Sequence, residues 1–198
     1  MTNVEILSLI GQIFGFIAMA LIVLSFQCKK PQGLFIVQIA SCCMFILSYL
    51  FLGLGGDSAA YSGMAQNAVG LLFRGALALS NQHKKLLSPL MLSAMGALGA
   101  IVAVFTYNPV GTTLFAQIMP LLPVVANFAC MGCMWTKDSN IIRATQLIII
   151  SPFWLIYAAT LSPVSIAGIL TEVFNISSIG VYYFRMWREK KKNIAAAN

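Results

Sequence analysis

Residues 4–30 read VEILSLIGQIFGFIAMALIVLSFQCKK. From Val4 to Gln27 this run carries a single charge, Glu5, and it stops at Lys29 and Lys30. As a helix rising about 1.5 Å per residue, it is long enough to cross a hydrocarbon core of about 30 Å. It is not a cleavable signal peptide: no basic segment precedes it, it is too long, and lysines rather than small residues close it. Runs of the same kind recur to the end of the chain. The composition agrees, with 60% hydrophobic and 9% charged residues and a mean hydropathy of +0.88. Soluble domains carry about 25% charged residues, so this chain could not cover a water-facing surface.

The runs place membrane spans at Val4–Gln27, Gly33–Leu54, Ser58–Ser80, Leu86–Thr106, Thr112–Met134, Ile141–Ala159 and Val164–Trp187. All are expected to be helices, because lipid-facing backbone has to satisfy its own hydrogen bonds. The expected fold class is therefore all-α integral membrane. Charge sets the direction. The net charge is +7, from 12 basic and 5 acidic residues. Lys29, Lys30, Lys84, Lys85, Lys137, Arg143 and the tail residues Arg185, Arg188, Lys190, Lys191 and Lys192 all fall on alternate connections. The intervening connections, at Gly55-Gly56-Asp57, Tyr107-Asn108-Pro109 and Ser162-Pro163, hold no Lys or Arg. Basic residues in short loops stay cytoplasmic, which puts the N-terminus outside and the C-terminus inside. Trp135 and Trp187 then mark one interface and Tyr107 the other. The basic excess is read as topology, helped by anionic lipid at the tail, rather than as a nucleic-acid surface.

Five cysteines, Cys28, Cys42, Cys43, Cys130 and Cys133, all avoid the outer connections, so no secreted disulfide framework is expected. Cys130-Met131-Gly132-Cys133 has redox spacing but lies inside an apolar run without further ligands, and reads as small packing residues.

Laying the first three spans on the last three without a gap gives an internal repeat at an offset of 108 positions. It pairs Lys29 with Lys137, Gln38 with Gln146, Phe45 with Phe153, Tyr49 with Tyr157, Ala59 with Ala167 and Asn67 with Asn175. Apolar matches are cheap, but shared Gln, Tyr and Asn inside spans are not. The fourth span separates the copies and restores the orientation that three spans reverse. Its small residues Ser93, Gly96, Ala100 and Ala103 are expected to form a close-packing face. The expected organisation is a first three-helix bundle (1–85), a linker helix (86–111), a second bundle (112–187) and a basic cytoplasmic tail (188–198). This is a 3+1+3 parallel repeat, an arrangement used by transporters.

Leu121-Leu122-Pro123-Val124, the segment from Arg143 to Tyr157, and Glu172-Val173-Phe174-Asn175 running to Tyr183-Phe184-Arg185 carry a resemblance. Over almost its whole length the chain resembles the YgjV-type bacterial inner-membrane proteins, within the SWEET/PQ-loop superfamily that also holds nicotinamide riboside carriers and lumenal retention-signal receptors. The resemblance implies a bacterial inner membrane location. It also implies a solute pocket between the bundles, with an Asn from the third helix of each. The chain departs from the superfamily at its namesake Pro-Gln. Phe26-Gln27 occupies the usual place, and the literal Pro31-Gln32 follows the lysines. The first span has no proline, while the fifth has Pro120 and Pro123 as candidate hinges.

The polar residues inside spans are the site candidates. Asn67 and Asn175, equivalent in the repeat, can offer carboxamides to a small polar solute; the competing reading is bonding between helices. Glu172 is the one acid deep in a span and shares a helix face with Asn175. Intramembrane acids mark pathways, so Glu172 is read as a proton-coupling or solute-bonding group, or else as a structural partner of Arg74 or a Gln. Its repeat mate is Met64. Asn127, Gln66 and Tyr157 complete the expected substrate-binding set. Arg74 is expected to snorkel to the headgroups, with contact to an anionic solute as the lesser reading. Gln38 and Gln146 are read as interhelical bonds, Tyr49, Phe153 and Trp154 as packing, and His83 as solvated. There is no catalytic set, metal spacing or phosphate loop, and no cofactor is called for. The expected function is an alternating-access carrier for a small polar solute, uniport or proton-coupled, with self-association left open. A non-transporting receptor or assembly protein is the alternative, and a membrane enzyme ranks behind both.

Overall fold

In the computed structural model the chain is almost wholly helical, with residues 2–25, 31–80, 89–107, 109, 112–136, 138–162 and 164–197 described. The side chains at 31, 32, 34, 80, 139 and 190–197 are not among them. Phe26, Gln27, Cys28, Lys29, Lys30, His83, Lys84, Lys85, Asn108, Lys137 and Pro163 lie outside the described residues, as do the side chains of Pro31, Gln32, Lys190, Lys191 and Lys192.

Among the described residues there are seven helical rods. They are α1 (Asn3–Ser25), α2 (Pro31–Leu54), α3 (Ala60–Ser80), α4 (Pro89–Thr106), α5 (Leu114–Trp135), α6 (residues 139–160) and α7 (Ile166–Ala197). The last runs on past the expected end at Trp187 and carries the basic tail as helix. Six of the seven are long and apolar enough to cross a membrane. The exception is α3, where Gln66, Asn67 and Arg74 lower the hydropathy.

Two rods are irregular, and proline explains both. In α5 an α segment (Leu114–Ile118), started by the Thr113 side chain accepting from the Ala116 N–H, gives way to a 3₁₀ turn (Met119–Leu121) and then to Leu122–Trp135. Pro120 and Pro123, the expected hinges, sit at this change of pitch; neither has an N–H to continue the ladder. The Pro120 carbonyl takes a hydrogen bond from Ser62 Oγ of α3 at 3.1 Å. In α6, Asp138 caps the first turn, and a wide π turn (Gln146–Ile150) precedes Pro152. There the Ser151 N–H reaches back five residues to Gln146 O.

Polar side chains gather inside, and large apolar ones cover the outside. Gln38, Gln66, Asn127, Glu172 and Asn175 are buried, whereas Leu90, Phe105, Leu114, Ile148 and many other large apolar side chains are exposed. Water would not tolerate such a continuous apolar exterior; lipid does.

The rods form a closed ring. Neighbours run α1–α2–α3–α5–α6–α7 and back to α1, with α4 outside, against α3 and α5. The α1/α7 seam is tight: a Cβ on Gly15 would lie 2.6 Å from Ala167 Cβ. On α4 the packing face differs from the expected one. Gly99 is buried and Gly96 faces Phe128, but Ser93 and Ala100 are exposed. The face is turned toward Gly99 because that carbonyl accepts from Gln66 Nε2 at 3.3 Å, which fixes α4 on α3.

Candidate functional site: the central cavity

All six ring helices contribute to one cavity, and α4 contributes nothing to it. It is narrow, with a volume of ≈ 70 Å³. That is room for roughly five waters. Asn67, Gln66, Asn127, Glu172 and Asn175 all line it, so five of the six substrate-binding candidates come together. Gln38, Gln146 and Arg74 line it as well.

The two asparagines present themselves differently. Asn67 Nδ2 donates within its own helix to Gly63 O at 2.9 Å. Asn175 Nδ2 donates to Glu172 Oε2 at 3.3 Å, and its Oδ1, fully buried, has no hydrogen-bond partner. The Ser151 and Gln146 side chains lie beside Glu172, and Gln146 Nε2 donates to Ser151 Oγ at 3.0 Å. The π turn of α6 is what brings Gln146 and Ser151 to this point together; such turns favour functional sites. Gln66 and Asn127 form a bond across the α3/α5 seam, from Asn127 Nδ2 to Gln66 Oε1 at 3.1 Å. They are part of the wall and of the fold at once.

Arg74 does not snorkel. Its Nε donates to Gln38 Oε1 at 3.1 Å and its Nη2 to Cys130 Sγ at 3.3 Å, both across helix boundaries. Cα–Cβ bonds tilt toward a helix's N-terminus. From Arg74 that direction leads back along α3 to the middle of the ring, away from the nearer helix end. Gly70 leaves the necessary space, since a Cβ there would stand 2.6 Å from Arg74 Nη1. Glu172 is not its partner: among the described residues no carboxylate bonds to Arg74.

Tyr157, the sixth candidate, is not in the cavity wall. Its hydroxyl is inserted into the first turn of α3, accepting from Gly63 N–H at 3.0 Å and donating to Ala59 O at 2.7 Å. In an uninterrupted helix those two backbone groups would bond to each other. The ring is packed by Tyr49 and Trp154, at centroid distances of 6.1 and 5.8 Å. Around it, Tyr49, Leu52, Ala59, Ala60 and Leu161 close this end of the cavity.

More bonds tie the halves at the same end. Asp57 Oδ2 accepts from the Ser162 N–H at 2.6 Å, and its Oδ1 from the Ala59 N–H at 3.0 Å. Burial raises the Asp57 carboxyl above the usual aspartate range, against the pull of the N–H groups it accepts from. Gln12 of α1 donates to Val164 O and accepts from the Ala167 N–H. Neither Asp57 nor Gln12 stood out in the sequence. A turn acid is ordinary there, Gln12 is a single amide inside the first span, and only the fold reveals what the two reach.

A family model described as bacterial inner membrane protein, Imp-YgjV, matches residues 9–190. The chain belongs to the Imp-YgjV family. No curated protein and no solved structure matches it. For this Imp-YgjV chain the match takes in every residue that lines the cavity.

Proposed function

We propose that the protein is a carrier for a small polar solute, working by alternating access between two three-helix bundles, α1–α3 and α5–α7. The observation that carries this reading is a closed six-helix ring around a polar cavity lined by both Asn67 and Asn175. Polar side chains inside a bilayer are expensive, and a central cavity shared by all helices is where a solute path needs them. The neighbour order supports the 3+1+3 repeat: replacing α1, α2 and α3 by α5, α6 and α7 maps each contact of the ring onto another one. Gln38 and Gln146, matched by the repeat, also line the same cavity. On this reading α3 is the seventh span, its polar residues turned to the interior, and α4 is the linker. The basic connections put the N-terminus outside, so the Tyr157–Asp57 end faces out and is shut.

The test is flux in proteoliposomes, with solutes first chosen by thermal shift across a metabolite panel. Asn67→Ala combined with Asn175→Ala should abolish counterflow while leaving the protein folded. Undiminished counterflow would remove the two asparagines from the path. A solute that binds but never exchanges would favour the receptor reading instead.

A further inference from the structure

The cavity has two chemically opposite poles, and together they name a solute class. The first pole is Arg74. A guanidinium is always charged, and Arg74, half-buried in the cavity wall, has no carboxylate bonded to it among the described residues. Its protein partners are an amide oxygen and a thiol sulfur, the latter a weak acceptor. Those are its two hydrogen bonds among the described residues, and the side chain lines the cavity.

The second pole lies on α7. Asn175 Nδ2 donates to Glu172 Oε2 at 3.3 Å, and the Ser151 and Gln146 side chains lie beside the carboxyl. Ser151 Oγ already accepts from Gln146, so its own proton is free to go to the carboxylate. Beside it, Asn175 Oδ1 is a buried acceptor with nothing to accept from. This pole lacks a donor, and the Arg74 pole lacks an anion. The poles do not satisfy each other, since no bond joins Arg74 to Glu172 or Asn175.

We infer that the cavity binds a short zwitterion, its carboxylate on Arg74 and its ammonium on Glu172 and Asn175. A neutral polyol would leave the guanidinium without a counter-charge, and a simple anion would leave Asn175 Oδ1 bare. The space of ≈ 70 Å³ restricts the solute to a few heavy atoms unless the walls part. The inference rests on the carrier reading for the solute's passage but not for its binding.

The full-length protein in nanodiscs is titrated by calorimetry with glycine, β-alanine and γ-aminobutyrate, against propionate, propylammonium and glycerol. At least one zwitterion should bind tenfold or more tightly than all three comparators. Arg74→Gln and Glu172→Gln should each weaken it at least tenfold. Gly70→Ala, which keeps the charge but displaces the guanidinium, should do the same and serves if Arg74→Gln does not fold. Propionate or glycerol binding as tightly as the zwitterions, zwitterion binding indifferent to Gly70→Ala and Glu172→Gln, or no zwitterion binding at all would each overturn the inference. Binding that passes these tests without counterflow upholds it and sinks the carrier; counterflow of glycerol with no zwitterion bound does the reverse.

Discussion

Tyr157→Phe removes a single oxygen and little else. The ring keeps its packing against Tyr49 and Trp154, and the residue stays in a closed apolar cluster. Two hydrogen bonds to α3 are lost, at 3.0 and 2.7 Å. Interhelical bonds in membrane proteins average about 0.6 kcal/mol and reach about 1.7, so the pair is worth about 1–3 kcal/mol. Gly63 N–H and Ala59 O can then bond to each other along α3, which moves the loss toward about 1–2 kcal/mol. That is a factor of about 5–30 in an equilibrium. Two readouts check it in detergent: the melting temperature followed by tryptophan fluorescence, and amide exchange over residues 57–66. Melting should fall, and exchange should quicken by about that factor at the start of α3 but not in α4. Tyr49→Phe is the control, since its hydroxyl makes no hydrogen bond to the described residues and the ring alone is kept. If Tyr157→Phe melts and exchanges like the parent, the hydroxyl does not bind the two halves together.

Gly15→Ala should overpack the α1/α7 seam, because the new methyl meets Ala167 Cβ at 2.6 Å and Ser48 Oγ at 3.0 Å. The cost is about 1–3 kcal/mol, and adding Ala167→Gly should recover part of it, seen as a coupling of about 1 kcal/mol or more in a double-mutant cycle of melting data. The pH dependence of Asp57 has a definite sign. Burial raises its carboxyl in the closed end above the ordinary aspartate value of 3.8. The folded form therefore holds that proton more tightly than the unfolded form, and ionisation costs stability above the raised value. As pH falls through the raised value toward the ordinary one, this cost disappears. The stability difference between wild type and Asp57→Asn should thus shift in favour of wild type between pH 7 and pH 4; a shift the other way would mean that the N–H groups outweigh burial.

The helices were legible because lipid allows little else. Apolar runs closed by lysines and prolines placed every rod to within a few residues, apart from α7, whose helix persists into a segment too polar to have been counted as a span. Most of the cavity was legible for the same reason. An Asn, Gln or Glu inside a span is driven from lipid to the interior, and Asn67, Gln66, Asn127, Glu172 and Asn175 have one interior to share. What failed to show were properties of direction and reach. Arg74 lies near a helix end, and its inward course depends on Gly70 four residues back. The part of Tyr157 that matters is one hydroxyl, and aromatic spacing says nothing of where it points. The small-residue face of α4 was displaced because Gln66 selects the carbonyl of Gly99, a choice made by another helix.

That same bond makes the two seams of the ring unequal. The α3/α5 seam is buttressed by α4, which sits against both helices, whereas among the described residues no such helix stands behind the α1/α7 seam. A strict two-fold arrangement would be buttressed equally on both sides; this one is buttressed on one. Any rocking of the bundles then works like a book bound along α4, with its free pages at Gly15 and Ala167. The methyl proposed for Gly15 lands where the pages meet, so its first effect falls on the seam without a buttress.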